Sequence, residues 1–183
     1  MKRVALLLTI LFAGCSRTPP LPSWGVVPDF TLTDQRARTF LSKDHLDGHI
    51  WVGDFIFTNC TGPCPRMSTQ MNQVQKAVND PSVRYVSFTI DPDRDTPEVL
   101  AAYGKRYKAD PETWFLLTGP KPELKKLNYD TFHLGDVGGT LEHSTRFVLV
   151  DRKARIRGFY DTSDPENIRK LIADIQTLLR DGS

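Results

Sequence analysis

Residues 49–57 form an almost unbroken apolar run, interrupted only at Gly53 and Asp54, and the run leads within a few residues to Cys60. A strand that is apolar on both of its alternating faces belongs inside a sheet covered on each side, which favours parallel neighbours joined by crossover helices. Cys64-Pro65 follows Cys60 after Thr61-Gly62-Pro63. Beyond it, Met67, Met71, Val74 and Val78 recur at helical spacing until Asn79-Asp80-Pro81 stops the helix. Residues 54–67 therefore read as a strand, a tight loop and a helix start carrying a dithiol, with the methionine and valine stripe as core packing.

The rest of the chain supplies the neighbours this strand requires. Residues 30–33 alternate as a strand, and the turn at Asp34-Gln35 leads into 37–40, which makes a hairpin; 42–46 form a brief helical turn. A strand at 83–90 is followed by a helix that Thr96 caps and Pro97 opens. Residues 114–117 give a third core strand and 122–127 a short helix. A looser stretch, 129–142, holds Gly135, Gly138 and Gly139. Residues 146–150 and 155–160 pair as an antiparallel hairpin about a turn at 151–154. Asp164-Pro165 then opens a closing helix with Ile168, Leu171, Ile172, Ile175, Leu178 and Leu179 on one face. The sum is an α/β, thioredoxin-like mixed sheet with helices on both faces, an N-terminal β-hairpin and an inserted loop before His143. In such sheets the functional crevice lies beyond the carboxyl ends of the strands, where Cys60 and Cys64 fall.

The N-terminus sets the compartment. Lys2-Arg3, an apolar stretch from Val4 to Phe12 and Ala13-Gly14 before Cys15 follow the plan of an export signal, and the apolar stretch is too short to span a bilayer. The small pair before Cys15 resembles a bacterial lipobox, although Phe12 stands where that pattern prefers Leu; it implies lipid on the Cys15 sulfur. Three parts are expected: a signal at 1–14, a Pro-rich extended tether at 15–28 carrying Pro19, Pro20, Pro22 and Pro28, and a domain at 29–181. The exported protein would be a membrane-anchored lipoprotein facing the periplasm or the extracellular side. Loss of the signal removes two of the 24 basic residues and none of the 22 acidic ones, which leaves a formally neutral domain. No clustered basic excess marks a nucleic-acid partner. With Cys15 lipidated, the three cysteines reduce to one close pair, too few for a disulfide scaffold.

A helix start favours thiolate over thiol, which prepares Cys60 and Cys64 equally for metal binding and for disulfide exchange. Three intervening residues, against two in thioredoxin-type motifs, widen the loop and let both sulfurs face one ion. Two thiolates suit soft ions, Cu(I) foremost outside the cytoplasm, and a nitrogen ligand would complete the site. Of four histidines, His45 and His49 precede the central strand as surface or packing residues, leaving His133 and His143. His143 directly precedes Ser144 and strand 146–150. In a parallel sheet the loop leading into a neighbouring strand can approach the helix start, and the glycines before His143 give it freedom to swing in. Metal binding, disulfide exchange, peroxide reduction and a purely structural disulfide all remain open on these residues alone.

Three blocks narrow the choice: Phe57-Thr58-Asn59-Cys60-x-x-x-Cys64-Pro65-x-Met67, then 89–97 with Asp91-Pro92-Asp93-Arg94-Asp95-Thr96-Pro97, then His143-Ser144 before 147–151. Together, in this order, they resemble the Sco/SenC family. The resemblance implies copper held by Cys60, Cys64 and His143, and a role in assembling the binuclear copper site of cytochrome c oxidase subunit II. The copper would be Cu(I), with Cu(II) also admissible. It would come from a copper donor protein and pass to the oxidase subunit or another copper client, and a thiol-disulfide reductant would keep the pair open. The alternative is a thiol-disulfide oxidoreductase using Cys60 and Cys64 on client cysteines. Asp91, at the end of its strand, is a candidate outer partner of the metal ligands, whereas Asp93 and Asp95 read as turn and helix-start residues. The chain departs from many relatives in having Thr61 directly after the first cysteine, with Pro63 before the second, and in its lipid-type rather than membrane-spanning anchor.

Overall fold

The apolar run forms β3 (Ile50–Ile56), buried along its whole length at the centre of a seven-stranded sheet. The computed structural model describes residues 20–134 and 144–181. In chain order the elements before β3 are β1 (Thr31–Asp34), β2 (Thr39–Leu41) and α1 (Ser42–Leu46). After it come α2 (Cys64–Val78), β4 (Val83–Thr89), α3 (Pro97–Arg106), β5 (Trp114–Thr118) and α4 (Lys121–Lys126). The chain closes with β6 (Arg146–Val150), β7 (Ile156–Asp161) and α5 (Pro165–Asp181). The strands lie in the order β2-β1-β5-β4-β3-β6-β7.

Parallel pairing joins β3 to β4 and β4 to β5, with Ile56 opposite Thr89 at the carboxyl end. The outer strands are antiparallel: β1 to β5, β2 to β1, β6 to β3 and β7 to β6. Here the expectation for the strand after His143 needs correcting. In a parallel neighbour the incoming loop would arrive at the amino end of β3, far from the dithiol. Because β6 runs antiparallel, with Gly53 opposite Val148, its leading residues arrive at the carboxyl end of β3.

The two faces of β3 feed two cores. Ile50, Val52 and Ile56 pack with Met67, Met71 and Val74 of α2, Leu100 of α3, and Leu171, Ile175 and Leu178 of α5. Trp51 and Phe55 pack on the other side with Phe40, Phe88, Phe115, Leu124 of α4 and Phe132. Helices therefore cover both faces, as the mixed-sheet expectation required, and Met67 and Met71 are fully buried core residues. Gly53 is fixed by packing: a Cβ there would meet the Trp51 ring at 2.9 Å.

Helix ends follow their sequence signals. Thr96 Oγ1 accepts from the Val99 N–H, Pro97 opens α3, and Asn79 adopts the left-handed conformation that closes α2. Two segments differ from expectation. Residues 127–131 continue α4 as a π-helical turn, in which the Phe132 N–H reaches the Leu127 carbonyl at 2.9 Å, so the loose stretch does not begin at Tyr129. Part of the expected free tether is docked. The Trp24 N–H donates to the Ile156 carbonyl at 2.9 Å, Ile156 N–H to the Gly25 carbonyl at 2.9 Å, and Val27 N–H to the Ala154 carbonyl at 2.8 Å. The Arg157 guanidinium also binds the Leu21 carbonyl. The cause is the outer edge of β7, whose peptide groups need partners.

Candidate metal centre

β3 delivers the chain to a loop that bends back to α2, and one buried carboxylate holds the bend. Asp95, almost wholly buried, accepts from the Thr58 N–H at 3.1 Å, from Thr58 Oγ1 at 2.5 Å and from Thr89 Oγ1 at 2.5 Å. It thus ties the Cys60 loop to the end of β4 and to the turn before α3. The Cys60 N–H closes onto the Phe57 carbonyl at 3.2 Å, and the Gly62 N–H points at the Cys60 sulfur at 3.4 Å.

Both cysteines are free thiols; Cys60 is half-buried, and Cys64, at the first position of α2, is only 2 % exposed. Cys60 packs against the core cluster that contains Cys64. Burial pushes the Cys64 thiol well above its ordinary range, against a backbone hydrogen bond with Phe57, and the neighbouring Cys60 thiol and Asp54 carboxylate push the same way. At Cys64 burial opposes the thiolate that the helix start would favour. A helix terminus is worth at most about 2 kcal/mol in partly buried settings, and Pro63 and Pro65 offer no N–H to the sulfurs.

Beneath Cys64, on the same face of the sheet, lies Asp54, fully buried, and among the described residues neither of its carboxylate oxygens is in a hydrogen bond. Ser87, opposite it in register, eases the cost without reaching bonding geometry, and its Oγ accepts the Trp114 indole N–H at 3.0 Å. Burial raises the Asp54 carboxyl to about 7. Ser68 and Tyr103 share a buried hydrogen bond of 2.8 Å in the same layer, and Tyr103 also feels the charges of Asp54 and Cys64.

Of the residues singled out from sequence, Cys60 and Cys64 are brought together. Asp91 follows β4 at the same end of the sheet, where Ile90 bonds to Ile56; its carboxylate lies 3.7 Å from the Arg94 guanidinium. His143 and Cys15 lie outside the described residues, as do Gly135, Gly138 and Gly139. Ser144, buried beside the start of β6, accepts the Arg146 N–H at 3.2 Å. His45 stacks on Phe40 at 4.6 Å, and His49 bridges the Asp47 carbonyl and Arg84, so both are packing residues. His133 is exposed, with φ of 51°. Among the described residues no group of three or more His, Cys, Asp or Glu side chains is assembled for a metal. Sequence reading missed the roles of Asp95 and Asp54. For Asp54 the signal was present: a charged residue inside a strand covered on both faces.

The sequence profile described as SCO1/SenC matches residues 22–180. The chain belongs to this family. It is similar to a SCO1/SenC family lipoprotein from Bacillus anthracis, with a TM-score of 0.77 and 32 % identity, covering 89 % of this chain and 99 % of that one. It is also similar to BsSco, a member of the Sco family of cytochrome c oxidase assembly proteins in which a disulfide switch was identified. That likeness has a TM-score of 0.74 and 28 % identity, covering 88 % and 96 % of the two chains. A Stutzerimonas stutzeri relative named as a putative copper-binding protein is 32 % identical over 75 % of this chain and 70 % of its own.

Proposed function

We propose that the protein is an extracytoplasmic copper metallochaperone that holds copper, as Cu(I), between Cys60, Cys64 and His143 and assists assembly of the binuclear copper site of cytochrome c oxidase subunit II. The observation that carries this reading is the placement of two free, adjacent sulfurs at the carboxyl end of β3, the end at which β6 begins just after His143. Family membership, the copper-binding relative and the assembly role of BsSco support copper as the cargo and cytochrome c oxidase as the client. Soft thiolates with one imidazole suit Cu(I), and Cu(II) is admissible with the same donors. Copper is the cargo: uptake displaces the thiol protons, and release to the client returns them. Asp91 is assigned an outer role, orienting the site through its turn. The B. anthracis lipoprotein supports an exported form anchored through lipid on Cys15.

Anaerobic titration of the reduced protein with Cu(I) is expected to saturate at one ion per chain. His143→Ala should weaken binding by roughly two orders of magnitude, a loss at least as large as outer-shell changes produce. Unchanged affinity in that variant removes His143 from the site.

The asymmetry of the pair favours a second reading, thiol-disulfide exchange. Cys60, the more accessible sulfur, would attack a client disulfide, and Cys64 behind it would resolve the mixed disulfide. Two electrons would pass to the client, leaving a Cys60–Cys64 disulfide for an external reductant. A measured potential too low for the compartment to reduce would eliminate this cycle.

A further inference from the structure

At the end of α2 opposite to Cys64, a buried hydroxyl is left unsatisfied. Tyr85, the third residue of β4, is 2 % exposed, and its hydroxyl has no hydrogen-bond partner among the described residues. The side chain lines a cleft of about 170 Å³ together with Gln75, Asn79, Asp80, Asp110 and Thr113. An orphaned buried hydroxyl costs roughly 1–3 kcal/mol, so a partner from outside the chain is its natural explanation. Around the cleft the polar atoms with capacity to spare are acceptors. Asp80 receives the Ser82 N–H at 2.8 Å and the Ser82 hydroxyl at 2.6 Å, both on Oδ1, and Oδ2 accepts no hydrogen bond among the described residues. Asp110, at the exposed rim, receives the Glu112 N–H at 3.0 Å on Oδ1 and the Thr113 hydroxyl at 3.3 Å on Oδ2, which leaves each oxygen a lone pair. Gln75 braces the wall between them: Nε2 donates to Thr113 Oγ1 at 2.9 Å, and Oε1 accepts the Asp110 N–H at 3.4 Å. The last turn of α2 ends here at Val78 and adds the partial negative charge of its carbonyls. Arg152 and Arg84 feel Asp80 and Asp110 respectively, yet neither guanidinium lines the cleft.

We propose that this cleft binds a primary alkylammonium group, either the side chain of a lysine on a partner or a free aliphatic diamine, through Asp80, Asp110 and the Tyr85 hydroxyl. An ammonium carries three N–H donors and no acceptor, which matches two carboxylate oxygens and one hydroxyl lone pair. A hard divalent cation needs six or more oxygens and usually more charge, and among the described residues no group of three or more His, Cys, Asp or Glu side chains stands here. Burial, reinforced by the Asp80 carboxylate, holds the Tyr85 hydroxyl protonated far above neutral pH, so it meets the cation as a neutral dipole. The fifteen residues of α2 separate this cleft from Cys64, about 22 Å at roughly 1.5 Å per residue. A basic partner held here would leave the dithiol open to its client.

The experiment titrates the full chain, labelled with nitrogen-15 and held in detergent at low salt, with N-acetyl-lysine methylamide and separately with 1,5-diaminopentane. Saturable shifts, one ligand per chain, are expected at the amides of Asn79, Asp80, Asp110 and Thr113, and the probe with the lower Kd identifies the source of the ammonium. Tyr85→Phe and Asp80→Asn should each weaken binding roughly tenfold, as expected for loss of a hydrogen bond to a charged group. Without ligand, Tyr85→Phe should melt no lower than the wild type, because it removes a hydroxyl that nothing satisfies, and both variants should take up Cu(I) as the wild type does. Asp80→Asn keeps an oxygen for the Ser82 donors and carries the test alone if Tyr85→Phe misfolds. Shifts that do not saturate, that persist unweakened in the variants, or that tetramethylammonium or Mg²⁺ reproduces at the same concentration overturn the proposal.

Discussion

Two buried carboxylates, Asp95 and Asp54, bracket the dithiol and differ in what satisfies them. Asp95 gathers the Thr58 N–H and the hydroxyls of Thr58 and Thr89. Asp95→Ala strands those donors, and the expected outcome is a loss of about 2–4 kcal/mol of stability, measured by denaturant titration, together with weaker Cu(I) binding from a loosened Cys60 loop. Asp54 has no hydrogen-bond partner among the described residues, and burial raises it to about 7. The folded protein therefore binds this proton more tightly than the unfolded chain does. The group's contribution to stability is fully present below about pH 4 and is lost progressively as pH rises toward 7. Asp54→Asn should flatten that dependence, stabilising the protein at pH 8 by roughly 1–3 kcal/mol and much less at pH 5; thermal melts across pH check it. Asp151 shows the converse. It is equally buried, but the N–H groups of Arg155 and Lys153 and two guanidinium groups outweigh burial and hold it below the usual carboxylate range.

At the scale of elements, the docked segment on β7 carries a clear consequence for where the domain begins. A chain starting at Asp29, the boundary read from composition, leaves the outer edge of β7 bare and uncovers the site that buries Val27. It should be less stable than a chain starting at Pro20 by about 2–3 kcal/mol and should associate through the freed edge; melting curves and size-exclusion profiles of the two truncations decide this. The elements legible in the sequence had local causes. The unbroken apolar run gave β3, the 67-71-74 spacing gave the buried face of α2, and Thr96-Pro97 gave the start of α3. Others were decided by distant partners. The π-helical turn arises where Leu127, Phe132 and Leu134 enter the second core. The docking of residues 21–27 depends on the β7 backbone, the Arg157 side chain and a core site for Val27, all partners far along the chain. Asp95 looked like a helix-start residue because its Thr58 partner lies across the sheet.

For the whole molecule, the two-cysteine half of the candidate site was readable because spacing, strand and helix stripe agreed. The direction of β6 was not, since an apolar strand reads the same either way; only pairing of Gly53 with Val148 settles it. The raised Cys64 thiol couples the site to pH. On the proposed site, with Cys64 as a ligand, copper must displace a proton that burial makes hard to remove, so Cu(I) affinity should rise with pH. Competition titrations against a chelator of known affinity, from pH 6 to pH 8, are expected to show that slope; a flat profile would mean that Cys64 is not a ligand.

The central position of β3 also has a consequence in time. One of its neighbours, β4, follows soon after the dithiol in the chain, but the other, β6, begins only at Arg146. While the polypeptide emerges, Cys60 and Cys64 therefore ride on a strand with one side bare, and long-range pairing of this kind is slow to form. Arrival of the last hairpin completes the sheet, and only then do the sulfurs sit in their final surroundings.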